Sequence, residues 1–534
     1  MKRFFTAAVA AFSLTASVYA ADDAVNLDMV TKIRDEGFNH SQVMQTLEYL
    51  SDEIGPRLTG SPGLKRANEW TKDKLTAWGL KNAHLEGFEF GPGWTYSRAD
   101  VFMTAPRKMQ LYALPISWHP GTKGVLSGSI FYAPIKSPDD FKKYAGELKG
   151  KIVLVDPVPD QKEPKNEIFE RLDEKGLQRE VNYRVPTSET KDENRWWADY
   201  VGNQYKLEQF LAKEGALAMV RRSPRGAMLI EASGYQYKKG LNATIPGIRV
   251  AAEHYGRLVR LYQRGDDVKM SLDIDATFHN EDMKSYSTIA EIPGKGRHPE
   301  IVMAGAHLDS WFVGDGATDN GAGVAVVMEA VRILKALGVQ PKRTIRIGLW
   351  GGEEQGYYGS YQYVQDHLAT RPTNPDEAYK YSEPYAQQYG QFPITHKPGF
   401  DRFSVYFNLD NGSGKIRGVY SEGNAAAAAI FGRWLTPFHD LGAKTVSMNA
   451  TGGTDHEPFD DIGLPGFQFI QDPLDYETRV HHSQIDTFDH AYEADLKQAA
   501  VIMASFLYNA AMREDRFPRK PEPKAPAAPE TAKK

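Results

Sequence analysis

A chain of 534 residues exceeds what one ordinary hydrophobic core holds, so two folded units are expected, with room for one to be inserted in the other. A composition of 41% hydrophobic and 25% charged residues excludes a fibrous or wholly disordered protein, and a net charge of −5 does not indicate a basic surface for nucleic acid. The absence of cysteine excludes disulfides, thiolate metal ligands and a thiol nucleophile together.

In chain order, the first 20 residues read as an export signal. Lys2 and Arg3 precede an apolar stretch from Phe4 to Val18, and Val18-Tyr19-Ala20 forms a small-residue cleavage site. Removing this leader deletes two positive charges and makes the net charge −7. The stretch is shorter than the roughly 20 residues a membrane span needs, and no later segment qualifies, so a periplasmic or secreted protein is expected.

Residues 21–119 are read as the N-terminal part of the main domain. Val43, Leu47, Leu50 and Ile54 recur at helical spacing, and a second helical pattern covers 61–80. From about Pro120 the texture changes to short strand-like runs at 124–133, 149–156, 216–222 and 268–278, with a helix at 204–214, which suggests a strand-rich insert over 120–280. Within it, 159–197 is highly charged with little apolar period and reads mostly as solvated loop. Trp196 and Trp197 in that stretch are assigned to packing against the insert in preference to a substrate cleft.

Residues 281–515 alternate strands with helices: strand 300–306, helix 322–337, strand 343–350, a helix from Gly359, strands 403–410 and 465–470, and a last helix over 495–513. The strands are apolar nearly throughout, as a mostly parallel sheet covered on both faces requires. Residues 516–534, rich in Pro, Ala and Lys, read as a disordered tail.

The chemistry-bearing residues fall beyond the carboxyl ends of those strands, where open α/β sheets bind ligands. GAHLDS (305–310), GATDNGAG (316–323) and GGEEQG (351–356) bring His307, Asp319, Glu353 and Glu354; Asp410 ends a strand, and His481 and His482 lie a loop beyond another. Imidazole and carboxylate oxygen suit a pair of divalent cations, a carboxylate can bridge two ions, and two ions can share and acidify a water. The adjacent glutamates point in different directions, so one can ligate while the other takes the water's proton.

These residues, with NLDNGSG (408–414) and HHSQIDT (481–487), make the chain resemble peptidase family M28, the co-catalytic zinc aminopeptidases and carboxypeptidase Q-like exopeptidases, over about 285–510. The resemblance implies a zinc-exopeptidase (phosphorylase/hydrolase-like) α/β fold with a mixed, mostly parallel sheet flanked by helices. It also implies two divalent ions, Zn2+ by family, one held by His307, Asp319 and Asp410 and the other by Asp319, Glu354 and His482. Asp319 is then the bridge and Glu353 the general base. The family's H-[ST]-x-x-D-T pattern selects His482 over His481 as ligand and leaves His481 facing the developing oxyanion. Asp309 and Asp486 are expected to orient the histidines, while Asp315, Asp455 and His456 carry weaker signals that turn formation explains equally well. The insert is similar to a protease-associated (PA) domain through 148–156, 214–220 and 245–250.

The reading is a di-metal exopeptidase that releases N-terminal residues from peptide substrates through a metal-bridging water and the Glu353 base. A carboxypeptidase Q-like dipeptidase is the nearest alternative. A non-catalytic protein of the transferrin-receptor kind and a single-zinc glutaminyl cyclase are rivals from other classes.

Overall fold

The computed structural model describes residues 24–160, 163, 167–185, 193–234, 243–295 and 299–525; the leader expected at 1–20 lies outside them. Among the described residues no helix is long and apolar enough to cross a membrane.

An eight-stranded mixed sheet forms the main framework. Its order is Lys81–Glu89, Lys284–Ile292, Thr344–Trp350, Ile301–His307, Phe403–Asn408, Gly466–Gln471, Ile416–Tyr420 and Thr445–Ser447. Thr344–Trp350, Ile301–His307, Phe403–Asn408 and Gly466–Gln471 run parallel, and antiparallel strands extend the sheet on both sides. Side chains alternate across it: Val302, Ala304 and Ala306 enter one core with helices Ala322–Ala336 and Glu493–Met512, while Ile301 and Met303 enter another with Tyr363, Tyr406 and Phe459. Both faces are covered, which explains the continuous apolar runs. The central helix Ala322–Ala336 is buried from Ala322 to Leu334, so it is nearly apolar all round rather than amphipathic.

A second eight-stranded sheet has the order Met109–Gln110, Gly93–Ala105, Lys269–His279, Leu126–Tyr132, Ile152–Leu154, Ala218–Arg222, Gly247–Val250 and Ala113–Pro115. It begins at Gly93, earlier than the change of texture at Pro120 suggested. The physical reason is a continuous ribbon. Lys81–Glu89 pairs with Lys284–Ile292 in the first sheet, and the same two chain segments continue as Gly93–Ala105 paired with Lys269–His279 in the second. Local composition does not change where a ribbon passes from one sheet to another.

Two further expectations are corrected. The described part of 159–197 holds two helical segments that were not expected there: helix Glu174–Val181 lies within it, and its end starts helix Glu193–Lys213, longer than the helix read at 204–214. The first helix is strongly two-faced but short, so its few apolar positions escaped a periodicity reading. The tail is packed at its start. Phe517 is 2% exposed and meets Phe431, Trp434 and Phe467, and Arg519 donates to the carbonyls of Phe400 and Phe403. Residues 526–534 of that tail lie outside the described residues.

Candidate active site and metal centre

His307 is the last residue of its strand, Asp319 sits in the turn that opens helix Ala322–Ala336, and Glu353 and Glu354 follow Thr344–Trp350. Asp410 follows Phe403–Asn408, and His481 and His482 lie in the loop after Gly466–Gln471. The parallel register aligns these strand ends, pairing His307 with Trp350 and Gly305 with Asn408, and so gathers the five segments at one rim.

Asp319 stands between two imidazoles, offering one oxygen to each. Its Oδ1 is 3.3 Å from His307 Nε2 and its Oδ2 is 3.2 Å from His482 Nε2. Asp410 Oδ1 lies 3.3 Å from His307 Nε2, and Glu354 Oε2 lies 3.0 Å from His482 Nε2. Glu353 Oε2 is farther out, 4.0 Å from His307 Nε2. Three groupings have ligand atoms close enough to share an ion: His307, Asp319 and Glu354; His307, Glu353 and Asp410; and Asp319, His481 and His482. All seven residues singled out in the sequence are therefore brought together, and six of them, all but His307, line one cavity of about 470 Å³.

The surroundings prepare these groups. The Nδ1–H of His307 donates to the Asp309 carbonyl at 3.0 Å, which turns the Nε2 lone pair toward Asp319 and Asp410. The Asp309 carboxylate accepts the backbone N–H of Glu353 and of Glu354, both at 3.2 Å, and the Thr59 hydroxyl at 3.0 Å. It thus fixes the glutamate pair as well as the histidine. Asp486 does not orient a histidine. It accepts from the Thr318 N–H and hydroxyl and from the Asp319 N–H at 2.6, 2.8 and 3.1 Å, and so fixes the turn that presents Asp319. Asp455 is fully buried and accepts from Ser360 Oγ, and His456 Nε2 donates to the Thr451 carbonyl; both support the wall.

Electrostatically the pocket holds more acid than base. Burial, reinforced by Asp410, Asp455 and Glu354, pushes the Glu353 carboxyl well above its ordinary range despite His307. Burial and then Asp319 push Glu354 up to about 7. Burial acts against ionised Asp319, yet hydrogen bonds from His307 and His482 hold it well below the usual carboxylate range. Burial also opposes the charge on both of these histidines, but the facing carboxylates outweigh it and raise them. His481 is different: burial and the neighbouring His482 lower it to about 3, so it is neutral near pH 7.

This donor set fits a pair of divalent cations. Glu354 Oε1 is buried without a hydrogen-bond partner among the described residues, and the carboxylates outnumber the cationic groups that face them. Burying such an excess of negative charge is costly unless ions offset it.

Some participants were not found from sequence. Arg57, fully buried, donates to the carbonyls of Leu308, Asp315 and Gly316 and thereby ties the His307 loop to the Asp319 turn. Its only sequence signal is a lone arginine in the Gly-Pro-rich run EIGPRLTG. Trp197, assigned to packing, lines the cavity and donates to Glu383 at 3.0 Å. The His481–His482 loop is clasped from the second sheet's unit: Ala232 N–H donates to the His482 carbonyl at 2.7 Å, and Arg225 to the His481 carbonyl at 2.6 Å. His482 itself has a φ of +57°, in the left-handed region that non-glycine residues seldom adopt.

Residues 287–507 match the sequence profile of peptidase family M28. Carboxypeptidase Q of Bos taurus is 28% identical over 93% of this chain and 90% of its own length. Among solved structures, a peptidase M28 precursor from Shewanella amazonensis superposes with a TM-score of 0.67 at 24% identity, covering 93% of this chain and 98% of that one. A zinc aminopeptidase from Bacillus subtilis superposes with a TM-score of 0.55 at 21% identity, covering 89% and 97%. At these identities the superpositions speak to the fold.

Proposed function

We propose that this metallo-exopeptidase, residues 287–507 of which match peptidase family M28, removes N-terminal residues from peptides with two divalent metal ions, zinc by donor chemistry. The observation that carries this reading is Asp319 set between His307 and His482, one oxygen toward each. His307, Asp319 and Asp410 would hold one ion, and Asp319, Glu354 and His482 the other. Such a pair supplies Lewis acidity and an acidified water.

The chain's own groups do the proton work. Glu353 lines the cavity and stands farther from His307 Nε2, at 4.0 Å, than Asp319 and Asp410 at 3.3 Å, so in this reading it takes the proton from the attacking water and returns it to the leaving amine. His481, neutral and lining the same cavity, offers an N–H to the carbonyl oxygen as negative charge gathers there. Asp309 keeps the Glu353 and Glu354 backbone in place through its two accepted hydrogen bonds. The PA-like unit contributes by holding the His481–His482 loop. Export through the 1–20 leader completes the reading, and a mature protein starting near Ala21 outside the cytoplasm is its check.

Replacing Glu353 by Gln should lower kcat by about 10²–10⁴ with metal content unchanged, as loss of a general base predicts; unaltered turnover would remove Glu353 from that role. Metal analysis should return about two equivalents per chain. One equivalent would favour the glutaminyl cyclase alternative, and an inability to bind metal the transferrin-receptor-like one. The near full-length likeness to carboxypeptidase Q favours a second reading, a dipeptidase. Amino-acid p-nitroanilides assayed beside free and N-blocked dipeptides separate the two, since cleavage of N-blocked substrates alone would sink the aminopeptidase reading.

A further inference from the structure

The cavity that holds the metal-ligand cluster also has a wall that metal chemistry does not use. Trp197, Tyr385 and Tyr389 line it together with Glu383 and Glu457. Glu383 is 7% exposed; both of its carboxylate oxygens lie 3.0 Å from Trp197 Nε1, and it also accepts from its own backbone N–H, so its donors are neutral. Glu457 accepts from the Tyr357 hydroxyl and the Gly453 N–H. Neither carboxylate forms an ion pair with a Lys, Arg or His among the described residues, and burial pushes each up to about 7.

A pair of acids alone would not mark a site, but Tyr385 supplies a second observation. It is 6% exposed, lines the same cavity, and its hydroxyl has no hydrogen-bond partner among the described residues. Its ring packs edge-on against Tyr357 and Tyr389, which fixes it in that wall, where the charge of Glu457 acts on the hydroxyl. A hydroxyl without a partner, two carboxylates without cations, and an indole and phenol faces in one cavity are complementary to one ligand chemistry. Carboxylates and the phenol oxygen accept from an ammonium or guanidinium, and aromatic faces attract its charge. A neutral aliphatic side chain would instead leave the Tyr385 hydroxyl without a partner and the two buried acids without a countercharge, which is the costlier outcome.

We propose that this wall is a specificity pocket for a cationic side chain, Lys or Arg, on a residue flanking the cleaved bond, with Glu383 and Glu457 as its acidic determinants. The inference rests on the peptidase reading for its position in the reaction, but its binding chemistry can be measured separately.

The test uses the full-length protein loaded with zinc. Dipeptide pairs that differ only in a side-chain ammonium, Lys-Ala against norleucine-Ala and Ala-Lys against Ala-norleucine, are compared by kcat/KM. In parallel, L-lysinamide and L-norleucinamide are titrated by calorimetry. Because both members of each pair carry the same α-amine, a difference between them reports the side chain alone. The expected result is a preference of at least about tenfold for the cationic member in one dipeptide pair and in the titration, as charge-assisted hydrogen bonds in a desolvated pocket predict. Glu383→Gln and Glu457→Gln should each reduce that ratio, whatever they do to absolute rates. Turnover of both members of both pairs without preference would overturn the pocket and leave the peptidase reading standing. Selective binding of lysinamide without hydrolysis of any dipeptide would do the reverse. Equal binding of the two amides overturns the pocket in either case.

Discussion

The two halves of the candidate metal centre are built differently. His307, Asp319, Glu353, Glu354 and Asp410 stand at the ends of adjoining parallel strands or in the turns just beyond them, and their supports, Asp309, Arg57 and Thr59, belong to the same sheet-and-helix framework. His481 and His482 sit in a loop whose carbonyls are held from the second sheet's unit, by Arg225 and Ala232, with Ile230 N–H donating to Gln484 at 2.7 Å. The rim half is rigid because packing of the sheet places it. The loop half is held by its own turn hydrogen bonds and by the grip of a distant segment, and the left-handed φ of His482 indicates that this conformation is imposed rather than intrinsic. A site can thus take half of its precision from a core and half from an interface.

Four measurements would break or sharpen that contrast. The largest effect belongs to Asp319→Ala, which removes the group shared by both halves. Activity should fall by at least about 10³ and both ions should bind weakly, as expected when a bridging ligand is lost; two firmly bound equivalents would refute the bridging assignment. Next comes Asp309→Ala within the rim. Loss of a group that orients ligands typically costs about 10–100-fold in metal affinity or activity. Zinc titration should place that loss at the rim, with Glu354 and His307 both loosened; a wild-type titration would dismiss Asp309 as an organiser.

Arg225→Ala should have a smaller effect, about three- to tenfold in kcat/KM, since one hydrogen bond to the His481 carbonyl is removed while the others remain. Its signature is selectivity: one ion weakens and the other does not. Equal weakening of both would show that the two halves respond as one unit.

The smallest effect concerns pH. In metal-free protein Glu354 and Asp486 are raised to about 7, so the folded state holds protons that the unfolded chain releases near pH 4 to 5, and that stability is lost as pH rises toward 7. His307 and His482 are raised as well, so their contribution is lost as pH rises above 6.5 through their folded values. His481, lowered to about 3, and His456, lowered to about 4, act in the opposite sense, but only below about 6.5. Between pH 6.5 and 8 the melting temperature of chelator-treated protein should therefore fall, and zinc should reduce the fall. A flat or rising profile without metal would contradict the acid excess assigned to the pocket.

Much of the rim was legible because its residues follow apolar strands in compact motifs, and short-range patterns of that kind survive in a linear string. His482 was legible only through a family pattern, and Asp486 was matched to the wrong partner because sequence spacing does not reveal which loop a carboxylate will meet. The beginning of the second sheet at Gly93 was missed since ribbon continuity is a matter of pairing, and no composition change marks it. Trp197 was set aside for a similar reason: only folding brings it to Glu383, which lies 186 positions away.

By itself, then, the sequence determined the donor types that the candidate site offers, through the types and order of His307, Asp319, Glu353, Glu354 and Asp410, and the alternation of strands and helices that puts them at strand ends. The tertiary structure decided which oxygen faces which imidazole, what holds the His481–His482 loop, and which aromatic and acidic groups complete the cavity. The physical reason is range. Side-chain type and strand periodicity are local properties of the chain, whereas distances of 3 to 4 Å between residues far apart in sequence are fixed only when two sheets and their connecting ribbon pack.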